Sequence, residues 1–82
     1  MIIAVVGPQW SMVEDRLGEI ARNLPGVIKR DRTQIVTSDG TTYKGFSRAE
    51  RMQGYQFDEV IFVGFSRELE NMANSRLRVD KP

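Results

Sequence analysis

The sequence predicts a small α/β domain, and three observations predict it. An apolar run rich in β-branched residues, Ile2-Ile3-Ala4-Val5-Val6, opens the chain, and a second one fills residues 57–64. Each run breaks at a glycine and is succeeded by apolar residues at helical spacing. Between them Asp39-Gly40 joins two β-prone segments, a two-residue hairpin signal. The expected order is β-α-β-β-β-short α-β-α. The two long strands are expected to lie parallel at the centre, with a hairpin extending one edge.

Residues 2–6 read as a strand buried on both faces. Gly7-Pro8 ends it. Ser11-Met12-Val13-Glu14 is a capping-box pattern, in which the hydroxyl accepts from the N3 amide and the carboxylate reaches back. Val13, Leu17, Ile20, Ala21 and Leu24 then form one apolar stripe of a helix. Pro25-Gly26 stops it.

Val27-Ile28-Lys29 is a short strand, and Arg30-Asp31-Arg32 a charged turn. Residues 34–38 and 41–44 flank Asp39-Gly40. A two-residue type I′ loop there places Val36 opposite Tyr43 and Thr37 opposite Thr42. Ser47-Arg48-Ala49-Glu50 repeats the capping-box pattern, and Gly54 limits the helix there to a turn or two. Residues 57–64 form the second buried strand, with Asp58-Glu59 where it begins. Ser66 caps a last helix from Arg67 to about Leu77, whose stripe is Leu69, Met72, Ala73 and Leu77. Glu68 and Glu70 near its start, and Arg76 and Arg78 near its end, suit the helix dipole. Residues 79–82 read as a frayed tail. A chain of 82 residues is expected to be one domain.

Composition excludes several chemistries. There is no cysteine and no histidine. Disulfides, Cys/His zinc sites, cysteine nucleophiles and Ser-His triads are therefore ruled out. The balance of 12 basic against 11 acidic residues lacks the basic excess of a strong general nucleic-acid binder. The apolar start is too short for a signal peptide or a membrane span. A cytoplasmic protein is expected, with no cofactor and no membrane partner.

The strand, Gly-Pro loop and helix at the start resemble the first unit of a P-loop NTPase. Residues 35–43 are similar to the hairpin found in large terminases and related helicase-like ATPases. Arg51-Met52-Gln53-Gly54-Tyr55-Gln56-Phe57-Asp58-Glu59-Val60-Ile61-Phe62-Val63 is similar to the stretch that leads into their Walker B strand. The departures decide the meaning of this resemblance. A Walker A loop needs several amides and a Gly-Lys-Ser/Thr ending, whereas this loop is Gly7-Pro8-Gln9-Trp10-Ser11. Walker B needs an acid after its apolar run, and here that place is Gly64-Phe65-Ser66. The resemblance implies a stripped core of that fold without ATP hydrolysis, and the small size with the terminase-like hairpin points to a phage-encoded protein. A Rossmann-like domain has the same strand, loop and helix.

Three candidate sites emerge. Parallel long strands share a carboxyl edge, where open α/β sheets bind ligands. Gln9, Trp10, Ser11, Ser66 and Arg67 are expected there. Trp10 or Phe65 could stack a base and Arg67 could meet a phosphate. In the plainer reading the serines only cap helices and the aromatics fill a core edge or an interface. Arg30 and Arg32 at one turn, with Lys29, and Arg48 with Arg51 about a helical turn apart, could touch nucleic-acid phosphates. Interspersed Asp31 and Glu50 favour an ordinary solvated surface. The polar hairpin offers an edge for pairing with a partner or a second copy. The expected function is a non-enzymatic binding or protein-interaction module, a homo-oligomer or docked on a larger protein. Holding a nucleotide or other phosphate ligand is the first alternative, and weak nucleic-acid binding the second.

Overall fold

A computed structural model describes residues 1–77. The expected frayed tail, residues 79–82, and Arg78 before it lie outside the described residues. The strands are β1 (Ile2–Val6), β2 (Val27–Arg30), β3 (Gln34–Thr37), β4 (Thr42–Phe46) and β5 (Glu59–Phe62). The helices are α1 (Trp10–Asn23) and α2 (Arg67–Arg76), with a 3-10 helix at Ala49–Met52. The strands form one mixed sheet in the order β2-β3-β4-β1-β5. β1 pairs parallel with β4 on one side and β5 on the other, and β2, β3 and β4 run as an antiparallel meander.

Continuous apolarity suits the interior place of β1, flanked by β4 and β5 and second from one end of the sheet: Ala4, Val5 and Val6 are fully buried. Its side chains alternate between two cores. Val5 packs with Val13, Leu17 and Ile35 under α1. Ala4 and Val6 pack with Phe46, Met52, Phe57 and Leu69 on the opposite face, under α2 and the 3-10 helix. The domain is therefore a three-layer sandwich.

The second long strand departs from expectation. β5 lies at the end of the sheet, and its residues are exposed or half-buried. Phe62 and Phe65 remain in solvent. An apolar run alone cannot separate a central strand from an edge strand with an uncovered side.

The hairpin register is shifted by one residue. Val36 pairs with Thr42 and Ile35 with Tyr43, so the loop is longer than the Asp-Gly pair predicts. Gly40 sits at φ +88, and Thr37 donates its N–H to Thr41 O at 2.9 Å. This is a type I turn closed by a left-handed glycine. Asp39 selects it: its carboxylate accepts from the Thr41 N–H at 3.0 Å and from the Thr37 hydroxyl. The shift buries Ile35 and Thr37 on one face. The hairpin joins the parallel pair through β4, and β2 takes the outermost place.

Two of the three expected serine caps are absent. The cap of α1 falls at Gln9 in place of Ser11, with no side-chain cap bond, and Trp10 is the first helical residue. The 3-10 helix is preceded by Arg48, again without one. Ser66 does cap α2, its hydroxyl accepting from the Leu69 N–H at 3.5 Å.

Candidate functional site

β1, β4 and β5 are parallel, so their carboxyl ends lie at one edge of the sheet. From β1 the chain leaves into α1 on one face, and from β4 into the 3-10 helix on the other. Neighbouring parallel strands whose connections go to opposite faces leave a crevice between them, the usual ligand position in open α/β sheets. A cleft of about 690 Å³ lies there.

Trp10, the first residue of α1, is half-buried and forms one wall. Gly45 and Phe46 at the end of β4 form the floor. Thr33, in the turn between β2 and β3, forms a second wall, held because its carbonyl accepts the Gly45 N–H at 2.9 Å. Ser47, Arg48, Arg51 and Tyr55 complete the rim. Tyr55 is positioned by aromatic neighbours: its ring meets Phe46 edge-on at 5.4 Å and lies nearly parallel to Phe57 at 6.1 Å. Lys44 projects from β4, its Nζ 5.6 Å from the Tyr55 ring centre and 3.4 Å from Gln34 Oε1.

The lining contains Lys44, Arg48 and Arg51 and no carboxylate. The nearest partner acid is Glu50, 3.8 Å from Arg48 in an exposed pair, a geometry worth little in water. Asp31, in the same turn as Thr33, is already engaged. It accepts from the Thr33 N–H, the Thr33 hydroxyl and the Gln34 N–H. These bonds, first among them that from the Thr33 amide, hold its carboxyl below the usual range.

The structure thus brings together Trp10, Arg48 and Arg51, which sequence reasoning assigns to two different sites. Gln9, Ser11, Ser66 and Arg67 do not line this cleft. Arg30 and Arg32 lie with Arg22 at a second hollow of about 590 Å³, shared with Glu14, Asp15, Glu19 and Asp31. There Arg32 Nε sits 3.1 Å from Glu14, and acids outnumber bases. Sequence reasoning misses Lys44 and Tyr55. Lys44 sits between Tyr43 and Gly45 in a strand pattern, and only the pairing of β4 shows which wall it joins.

The first two residues of the opening loop offer no amide to a ligand. Gly7 N–H donates to Phe46 O at 3.1 Å, and Pro8 has none to give. Asp58 supports the amino end of β1, its carboxylate accepting the Ile2 N–H at 2.8 Å. Among the described residues no group of three Asp or Glu could hold a metal ion, and no helix is long and apolar enough to cross a membrane. Comparison with known protein families, with curated proteins and with solved structures found no match.

Proposed function

We propose that the chain is a non-enzymatic binding module that takes an anionic ligand bearing a planar ring, a nucleotide or similar phosphate compound, in the crevice between β1 and β4. One observation carries the reading. Lys44, Arg48 and Arg51, with the rings of Trp10 and Tyr55, line a carboxyl-edge cleft that holds no carboxylate. Ligand pockets are typically about 300–1,000 Å³, and this one is in range. Charge-assisted hydrogen bonds from Arg and Lys recognise phosphate oxygens, and stacking on an aromatic ring contributes about 1–3 kcal/mol per base.

The same features suit a stripped P-loop-type core. Gly7 and Pro8 offer no free amide, and the cations of the lining are on side chains. The test is Trp10 fluorescence, since Trp10 is the only tryptophan. Titration with adenine and guanine nucleotides should give a saturable change, lost in Arg48→Gln/Arg51→Gln. A flat response to every nucleotide sinks the reading.

Self-association is a second reading, carried by β5. Phe65 is 76% and Phe62 41% exposed at this end of the sheet. The opposite edge, β2, is guarded by Lys29, Arg30 and a register shift, devices that discourage strand pairing. Sedimentation equilibrium should show a dimer that Phe65→Ser weakens. A chain that stays monomeric across a dilution series of roughly 100-fold removes this reading.

A further inference from the structure

We infer that the ligand of this cleft is a polyphosphate held as its free anion, without magnesium; the inference rests on the anion reading above. Proteins that take a magnesium–nucleotide complex normally supply the ion with a carboxylate, and a P-loop adds a hydroxyl. The donor set here is of another kind. Lys44, Arg48 and Arg51 carry only N–H donors. Of the aliphatic hydroxyls in the lining, that of Thr33 is turned to Asp31 at 2.9 Å. Both acids near the rim are engaged, Asp31 in its own turn and Glu50 with Arg48. A magnesium ion would find no oxygen ligand from a carboxylate of the lining.

The ion would also reduce the charge that the cations recognise. Bound magnesium cancels two of the negative charges on a triphosphate and occupies oxygens that arginine would otherwise bond. Arg51 makes no ion pair among the described residues, so its guanidinium is available to a phosphate. Backbone amides carry no net charge, and that of Gly7 is already bonded to Phe46 O. Side-chain cations therefore have to balance the ligand's charge directly, and a ligand with more uncompensated charge binds more tightly.

The experiment is calorimetric titration of the full chain with AMP, ATP and inorganic tripolyphosphate. Each is measured in EDTA and in excess magnesium chloride at one ionic strength. Affinity should rise from AMP to ATP, and magnesium should weaken ATP on the order of tenfold, the scale of a few partly exposed charge contacts. Tripolyphosphate should bind and show the same magnesium effect. Arg51→Gln should weaken ATP and shrink the magnesium effect while leaving the melting temperature unchanged. If AMP binds as well as ATP, or magnesium leaves or raises the ATP affinity, this inference is overturned and the anion reading stands. If no phosphate compound binds, both fall. If a short oligothymidylate binds more tightly than ATP with a steep salt dependence, the ligand is nucleic acid and the polyphosphate inference is again overturned.

Discussion

Gly7 occupies the place where a phosphate-binding loop would carry a glycine for its ligand, yet the structure gives it another task. A methyl group at Gly7 would point at the backbone carbonyl oxygen of Val63, far closer than the 3.0 Å that real Cβ atoms essentially never undercut. The neighbour is main chain, so no rotamer change relieves the clash. The end of β5 has to move. That motion strains the Val63 N–H bond to Val6 O at 2.7 Å and the Gly7 N–H bond to Phe46 O at 3.1 Å. Each buried group left unpaired costs about 1–3 kcal/mol. Alanine returns about 0.4–1 kcal/mol by restricting the unfolded chain. Gly7→Ala should therefore destabilise by about 2–4 kcal/mol. A domain of this length has about 4–12 kcal/mol in total, so the loss is a large fraction. Urea unfolding followed by Trp10 fluorescence and by circular dichroism measures it, with the slope expected to stay constant. A variant within about 0.5 kcal/mol of the parent that has nonetheless lost nucleotide binding would refute the packing argument. It would return Gly7 to the ligand.

Other perturbations test the same geometry. Gly45→Ala places a methyl 2.7 Å from Val13 Cγ1 and 2.9 Å from Leu17 Cδ1; these are side-chain ends, so a smaller loss of about 1–2 kcal/mol is expected in the same unfolding assay. The methyl also lies 3.2 Å from Trp10 Cη2, and ligand affinity should fall with it. Ser66→Ala should cost about 0.5–1 kcal/mol, whereas Ser11→Ala should stay within about 0.5 kcal/mol of the parent, because only Ser66 makes a cap bond. The Thr37 hydroxyl, first, and the Thr41 amide hold the Asp39 carboxyl below its usual range. A lowered folded pKa contributes stability that is present above the unfolded value and is lost as pH falls through the folded one. The stability gap between the parent and Asp39→Asn should therefore be constant above about pH 5 and shrink below about pH 4. A gap that widens on acidification contradicts the assignment.

The elements themselves could be read from local pattern. β1 and α1 carry unbroken signals: a run of β-branched or small apolar residues, then a stripe at 3.6-residue spacing. Where that reading failed, a non-local contact decided. The capping pattern at Ser11 is sound chemistry, but the Trp10 ring packs against Gly45 and draws the helix start forward past it. Asp-Gly favours a two-residue loop, but Asp39 finds the Thr37 hydroxyl and the Thr41 amide, and the turn widens to accommodate them. Nothing in residues 57–64 records that, among the described residues, no further strand covers β5 on its outer side along Glu59–Phe62.

Charge shows the same limit at the level of the site. Summed over the chain, bases and acids nearly cancel, which argues against a strong general nucleic-acid binder. The fold sorts them. The turn carrying Arg30 and Arg32 lands beside the acidic side of α1, where Glu14 neutralises Arg32 at 3.1 Å. Parallel pairing of β4 with β1 carries Lys44, Arg48 and Arg51 to the start of α1, whose first residue is Trp10 and whose acids lie farther along. Two clusters of similar composition thus reach opposite electrostatic ends through strand order alone. A net charge near zero then constrains long-range attraction to nucleic acid, but it does not constrain a cleft a few residues wide, where local charges act within a Debye length of about 8–10 Å. If that sorting is what creates the site, Glu14→Gln should leave nucleotide affinity within about twofold, since exposed pairs at a distance contribute little. Thr33→Glu, which sets a carboxylate in the wall itself, should abolish measurable binding with the fold intact by circular dichroism. Effects equal in size and opposite in direction, Glu14→Gln strengthening and Thr33→Glu weakening, would mean that total charge governs binding, and the cleft would lose its claim.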